Sequence, residues 1–308
     1  MFRRIATLSC ATAVAATAFV GLAAGTANAV AGCPDVHWIG AAGSGEREGS
    51  DLTVYNGMGR VVYQSLTDLS VQLQRDGRTL TAEAVDYPAV PVPDDDGGVG
   101  AWLGFMGSVD TGAAALGKQY EAFVQQCPAS KVVLAGYSQG AMVVHRNLQA
   151  LGVSPNLAAV LLVADGDRRP DDPTLNLGTV SGLPKHGKGV AQDWPILAHA
   201  PAVLPADVGA KTISVCDLGD AVCDPDPDAD KTSAHAVAVH TSYARTPGLD
   251  WTAPLYFLLG PAPTAPQGPL PGPDARAIVS TTAPAGSSSA ASTATMASTA
   301  PVADIPVR

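Results

Sequence analysis

Short apolar runs alternate along the chain with longer stretches in which apolar residues return every three or four positions. The runs DVHWIG (35–40), TAEAVDYP (81–88), KVVLAG (131–136), LAAVLLVA (157–164) and KTISVC (211–216) predict strands. Three of them are almost continuously apolar, as strands covered on both faces of a parallel sheet must be. Between them, Val54, Met58, Val61, Val62, Ser65, Leu66, Leu69 and Leu73 keep a helical period, as do Val109, Ala113, Leu116, Tyr120, Phe123 and Val124. Strand and helix in alternation predict an α/β fold, a doubly wound three-layer sandwich around a central, mainly parallel five-stranded sheet. No internal repeat interrupts this order.

The two ends read differently. Arg3 and Arg4 stand ahead of an apolar run that finishes in Ala27-Asn28-Ala29, the pattern of a secretory signal peptide over residues 1–29, with Ala29-Val30-Ala31 as a second cleavage option. The folded domain is expected over 30–260. Residues 261–308 hold nine of the 25 prolines, many Ala, Ser and Thr, and no aromatic residue. Such a segment buries too little surface to offset the entropy of ordering it, so a disordered tail or wall-spanning linker is expected. No stretch after the signal reaches the roughly 18 apolar residues of a membrane span. The expected location is extracellular, with association to the cell wall through the tail.

Charge and cysteines fit that address. Of 18 basic and 28 acidic residues, the signal removes two basic ones, leaving 16 against 28, a formal charge of −12. That balance repels phosphate backbones and argues against a nucleic-acid partner. Cys10 leaves with the signal, and Cys33, Cys127, Cys216 and Cys223 remain. Four cysteines allow three pairings, and an oxidising exterior favours disulfides over zinc, whose close paired CxxC spacing is missing. We favour Cys33 with Cys127 and Cys216 with Cys223.

The chemistry centres on KVVLAGYSQGAMVV (131–144). With a strand over 131–136 and a helix over 141–151, Gly136-Tyr137-Ser138-Gln139-Gly140 becomes a sharp strand-to-helix turn. The turn lifts the Ser138 hydroxyl above the sheet at a helix amino end, and its flanking positions must be small. An alkyl hydroxyl needs a base, and the base needs a group to fix its tautomer. In this architecture the acid precedes the histidine in the chain. CDLGDAVC (216–223) offers Asp217 and Asp220 between two cysteines, and downstream SAHAVAVHTSYA offers His235 and His240.

Together, the GYSQG elbow, the C-D-x-x-D-x-x-C loop, the H-x-x-Y segment and the AAGSGE turn after the first strand resemble the cutinase family of secreted serine esterases. The resemblance spans Cys33 to Leu259. It implies a cutinase-like α/β-hydrolase fold with Ser138 as nucleophile, Asp220 as orienting acid and His240 as base, His235 being the rival. Asp217 would shape the loop. It further implies an oxyanion hole from the backbone N–H groups of Ser44 and Gln139, helped by the Ser44 hydroxyl, and it supports the favoured disulfide pairing. The implied reaction is hydrolysis of carboxylic esters through an acyl-enzyme, on cutin-like polyester, short-chain acyl esters, lipid or acetylated polysaccharide. It needs no metal or organic cofactor, and a monomer is expected. The reading from another class is an exported binding or cell-wall protein that keeps the fold without activity.

Two departures from the family pattern, Ala42 in place of an arginine and Thr241 in place of an apolar residue, suggest a more polar rim to the acyl pocket. The 82-residue interval from Ser138 to Asp220 includes a Pro- and Gly-rich insertion, 166–205, with an apolar patch at Trp194, Ile196 and Leu197. It reads either as a partial cap over the site or as a surface excursion held by Trp194. DPDPDAD (224–230) lacks the glycine of a calcium loop and reads as a solvated acidic loop. His37 and Trp38 read as packing residues, His186 and His199 as surface residues, and His145 lies too far down its helix to be the base.

Overall fold

Alternation of side chains along a strand determines which layer each residue enters. The computed structural model describes residues 32–93, 98–183, 186–193, 201–229, 231–244 and 249–262. The predicted strands appear as β1 (Val36–Ala41), β2 (Leu80–Ala84), β3 (Lys131–Tyr137), β4 (Leu157–Val163) and β6 (Thr212–Val215), with a further strand, β5 (Leu175–Leu177), before the last. The sheet therefore has six strands rather than five, in the order β2-β1-β3-β4-β6-β5. All neighbours are parallel. β5 lies inside the 166–205 segment. Three residues are too few to display an alternation, and its place depends on pairing with β6 at the sheet edge.

Successive residues feed two cores. Trp38, Val133, Ala135 and Val163 face α2 (Arg60–Arg75) and α8 (Thr252–Leu258), where Leu69, Leu73, Trp251 and Leu255 meet them. Ile39, Val132, Leu134 and Leu162 face the other way, toward α3 (Gly98–Gln126) and α4 (Gln139–His145). The result is the doubly wound three-layer sandwich expected from the alternation.

Helix boundaries differ from the sequence reading for local reasons. The period that begins at Val54 is split into α1 (Asp51–Val54) and α2, because Gly57 and Gly59 take positive φ values of 69° and 75°. Beyond α4 the chain re-forms as α5 (Leu148–Leu151), followed later by α6 (Ala206–Gly209) and α7 (Ala234–His240). Disulfides join Cys33 to Cys127 and Cys216 to Cys223. The first fastens the starts of β1 and β3 at the amino edge of the sheet, and the second closes a loop at the carboxyl edge, just after β6.

Trp194, Ile196, Leu197 and His199 lie outside the described residues, as do residues 1–31 and 263–308. The described part of the 166–205 segment lies along β6 and the loop that follows it. Val190 N–H donates to Val222 O at 2.8 Å and Gly187 N–H to the Asp224 carboxylate at 2.6 Å.

Candidate active site

Parallel strands present their carboxyl ends at one edge, and the candidate side chains gather there. The turn after β3 is as tight as its small residues allow. A Cβ on Gly136 would stand 2.2 Å from the Gly140 carbonyl oxygen, and one on Gly140 would stand 2.2 Å from that of Ala41. Between them Ser138 adopts φ 54° and ψ −120°, a strained conformation for a residue with a Cβ. Its N–H is held by Val163 O at 2.9 Å.

Ser138 Oγ lies 3.0 Å from His240 Nε2, and His240 Nδ1 lies 3.0 and 3.1 Å from the two carboxylate oxygens of Asp220. Asp220 is fully buried. Its Oδ1 accepts from the backbone N–H groups of Val222 (2.6 Å) and Cys223 (2.9 Å), within the loop closed by Cys216–Cys223. Its Oδ2 accepts from the Tyr243 hydroxyl at 2.9 Å. The imidazole is gripped as well. Tyr137 stacks on it at a centroid distance of 5.2 Å and donates its hydroxyl to His240 O at 2.7 Å. A line of hydroxyl, imidazole and carboxylate can move a proton off the alcohol and stabilise the imidazolium that results.

The other expected residues fall as follows. Ser44 follows β1, and its hydroxyl is buried with no hydrogen-bond partner among the described residues. Gln139 opens α4 immediately after Ser138, its N–H at the helix amino end. Its side chain is tied back to Val90 O at 3.3 Å and to the Ser108 hydroxyl at 3.4 Å. Asp217 accepts from Thr179 N–H at 2.9 Å and so shapes the loop. His235 is exposed at the start of α7 and lines, with His186, Lys231 and Asp224, a cleft of about 660 Å³ whose lining does not include Ser138. Ala42 is fully buried, and the exposed Thr241 donates its hydroxyl back to Val237 O at 3.0 Å. In the acidic loop Asp226 and Asp228 are exposed as expected, but Asp224 is buried against Gly187 and Gly219 N–H groups. Among the described residues, no three His, Cys, Asp or Glu side chains are grouped to hold a metal ion.

Sequence reasoning passed over Tyr137, Tyr243 and Glu46, although each sits inside a motif that drew attention. The Glu46 carboxylate accepts from Gly43 N–H at 2.7 Å and from Arg60 N–H at 3.0 Å, binding the loop that carries Ser44 to the start of α2. Burial pushes its carboxyl up from the ordinary value, against the pull of those two donors. Gly59 makes room for it, since a Cβ there would stand 2.0 Å from Glu46 Oε2.

Among known proteins the chain is 33% identical over 157 residues to a cutinase of Hypocrea jecorina, covering 50% of this chain and 46% of that protein. It is 34% identical over 110 residues to acetylxylan esterase 2 of Talaromyces purpureogenus, covering 35% of this chain and 39% of that one. The chain thus spans less than half the length of these relatives. The fold matches a solved cutinase-like protein from Cryptococcus sp. with a TM-score of 0.51 at 20% identity, over 76% of this chain and 100% of that one. The family model described as Cutinase matches residues 32–253, a stretch that takes in the elbow, the disulfide-closed acid loop and the histidine helix; the chain belongs to the cutinase family.

Proposed function

We propose that this protein is a secreted serine esterase that hydrolyses carboxylic esters. Ser138 attacks the ester carbonyl while His240 takes its proton, and Asp220 holds the imidazole in the productive tautomer. The N–H groups of Ser44 and Gln139, with the Ser44 hydroxyl, receive the oxyanion, each such donor being worth on the order of 3 kcal/mol. His240 returns the proton to the leaving alcohol, and water then cleaves the acyl-enzyme by the same route. The observation that carries this reading is the unbroken line from Ser138 Oγ through His240 to Asp220, with contacts of 3.0 Å on either side of the ring. A signal-like amino end and two disulfides support export.

The substrate classes are cutin-like polyesters and short-chain acyl esters, with acetylated polysaccharide supported by the similarity to acetylxylan esterase 2. An organophosphonate probe tests the nucleophile. Stoichiometric labelling is expected, lost in Ser138→Ala together with about 10⁶-fold of turnover. An unlabelled wild-type protein would favour a binding module, and a loss below tenfold would mean another nucleophile. Hydrolysis of p-nitrophenyl esters from two to sixteen carbons, beside a cutin film and acetyl-xylan, then ranks the substrates.

A further inference from the structure

We propose that Tyr243 is a positioning residue for the ester hydrolysis. Through one hydrogen bond it fixes the Asp220 carboxylate and draws off part of its charge, and so sets how strongly His240 holds a proton. The inference rests on the esterase reading above and gives the second half of the H-x-x-Y segment a task.

The direction of the bond follows from the partners. The Tyr243 oxygen accepts from the backbone N–H of Asp217 at 2.8 Å, and it lies 2.9 Å from Asp220 Oδ2. An ionised carboxylate only accepts, so the phenol hydrogen points at Asp220. The ring is fully buried, and its hydroxyl also touches the sulfur of Cys223 at 3.6 Å, a weaker acceptor. Burial first, then the neighbouring Asp220 charge, pushes the phenol far above its ordinary value, so it remains a donor at any working pH.

The arrangement is asymmetric. Asp220 Oδ1 is held by two backbone donors of its own loop and Oδ2 by the Tyr243 hydroxyl, while His240 Nδ1 reaches both oxygens. Among the described residues, Tyr243 is the side chain besides His240 that tethers this carboxylate from outside the loop. A donor at Oδ2 lowers the negative potential felt at the adjacent imidazole and restrains rotation of the carboxylate. Removing it leaves a more strongly attracting but less well aimed anion. The imidazolium is then held more tightly, and the neutral, base-competent ring is populated only from a higher pH upward.

The test is steady-state hydrolysis of p-nitrophenyl butyrate between pH 5 and 9 by the full chain, with Tyr243→Phe, Asp220→Asn and the double variant. We expect Y243F to lose roughly 10- to 100-fold in kcat with little change in KM, because base positioning acts in the transition state. Its acidic limb should move to higher pH, and the loss should vanish in the D220N background, as coupled residues require. A folded Y243F with wild-type kcat and an unmoved acidic limb, or an equal loss with and without Asp220, overturns the proposal. If Y243F does not fold, replacing Tyr243 site-specifically by 3-fluorotyrosine keeps the hydroxyl and strengthens the donor. The acidic limb should then move to lower pH, and an unmoved limb overturns the proposal. Failure of the wild-type protein to hydrolyse the ester or take up the phosphonate sinks the esterase reading itself, whereas a labelled, active protein indifferent to Tyr243 sinks this inference alone.

Discussion

Two histidine–carboxylate couples lie near the carboxyl edge of the same sheet, and they differ in what stands on the far side of the ring. In one, His240 Nδ1 meets Asp220 at 3.0 Å while Nε2 meets the Ser138 hydroxyl at 3.0 Å, and the histidine side chain keeps 14% of its surface open. In the other, at the end of α4, His145 Nδ1 meets Asp165 at 2.6 Å, with only 1% of its side chain exposed. Its Nε2 faces a second carboxylate, Asp172 at 3.6 Å, and no hydroxyl among the described residues. Both Nδ1 atoms lie within hydrogen-bond reach of a carboxylate, so the couple alone confers no chemistry. The group beyond the ring separates a couple that reaches an alcohol from a sealed ion cluster.

The sealed cluster ties α4 to the segment after β4. Asp165 turns back on Asp167 N–H at 2.9 Å, Asp167 is held by Arg146 at 2.8 Å, and Asp172 accepts from Leu204 N–H at 2.8 Å. Burial alone would push the His145 imidazolium below its ordinary value of 6.5, but the facing charge and hydrogen bond of Asp165, backed by Asp167 and Asp172, raise it instead.

The sharpest break in the comparison is Asp220→Asn. With the geometry kept and the tautomer wrong, kcat should fall by about 10⁴-fold while the protein unfolds near its normal temperature. A loss under tenfold would mean that Asp220 is not the orienting group. The second break is His145→Gln, which leaves Asp165 and Asp172 buried without their cation. Removing one partner of such a pair costs about 3–5 kcal/mol, read as an earlier urea midpoint, with kcat per folded molecule unchanged. If kcat fell in step with D220N, the two couples would not be separate.

The smallest effect is in pH. A histidine raised in the folded state contributes stability that is complete below the unfolded value of about 6.5 and disappears as pH rises through the folded value. Asp167, pushed up to about 6 chiefly by burial, adds a loss of the same sign weighted to the lower side of that window. Urea unfolding of the wild-type protein should weaken there as pH rises, each released proton contributing at most about 1.4 kcal/mol per pH unit. The slope should flatten in H145Q, and an identical slope in both proteins would remove His145 from the account.

The contrast also marks where sequence reading stops. The five apolar runs located β1 to β4 and β6 because long parallel strands advertise themselves through composition. β5 did not, since Leu175–Leu177 is a strand only by virtue of the neighbour it pairs with. Ser138 can be nominated from its elbow and the constrained order of the three, whereas only the family resemblance favours Asp220 and His240 over Asp217 and His235. The Asp217–Tyr243–Asp220 bridge and the His145–Asp165 pair carry no such mark. Their partners lie 20 to 26 residues apart, and only the packed chain brings them together.

Because all six strands run the same way, the Ser138 hydroxyl and the Cys33–Cys127 bond occupy opposite rims of the sheet. The seven residues of β3 separate them by roughly 23 Å at the usual rise per residue. Coupling the protein to a bead through an azido side chain introduced at Ala129, an exposed position on the far rim, would hold it with the Ser138 edge of the sheet turned outward to the liquid.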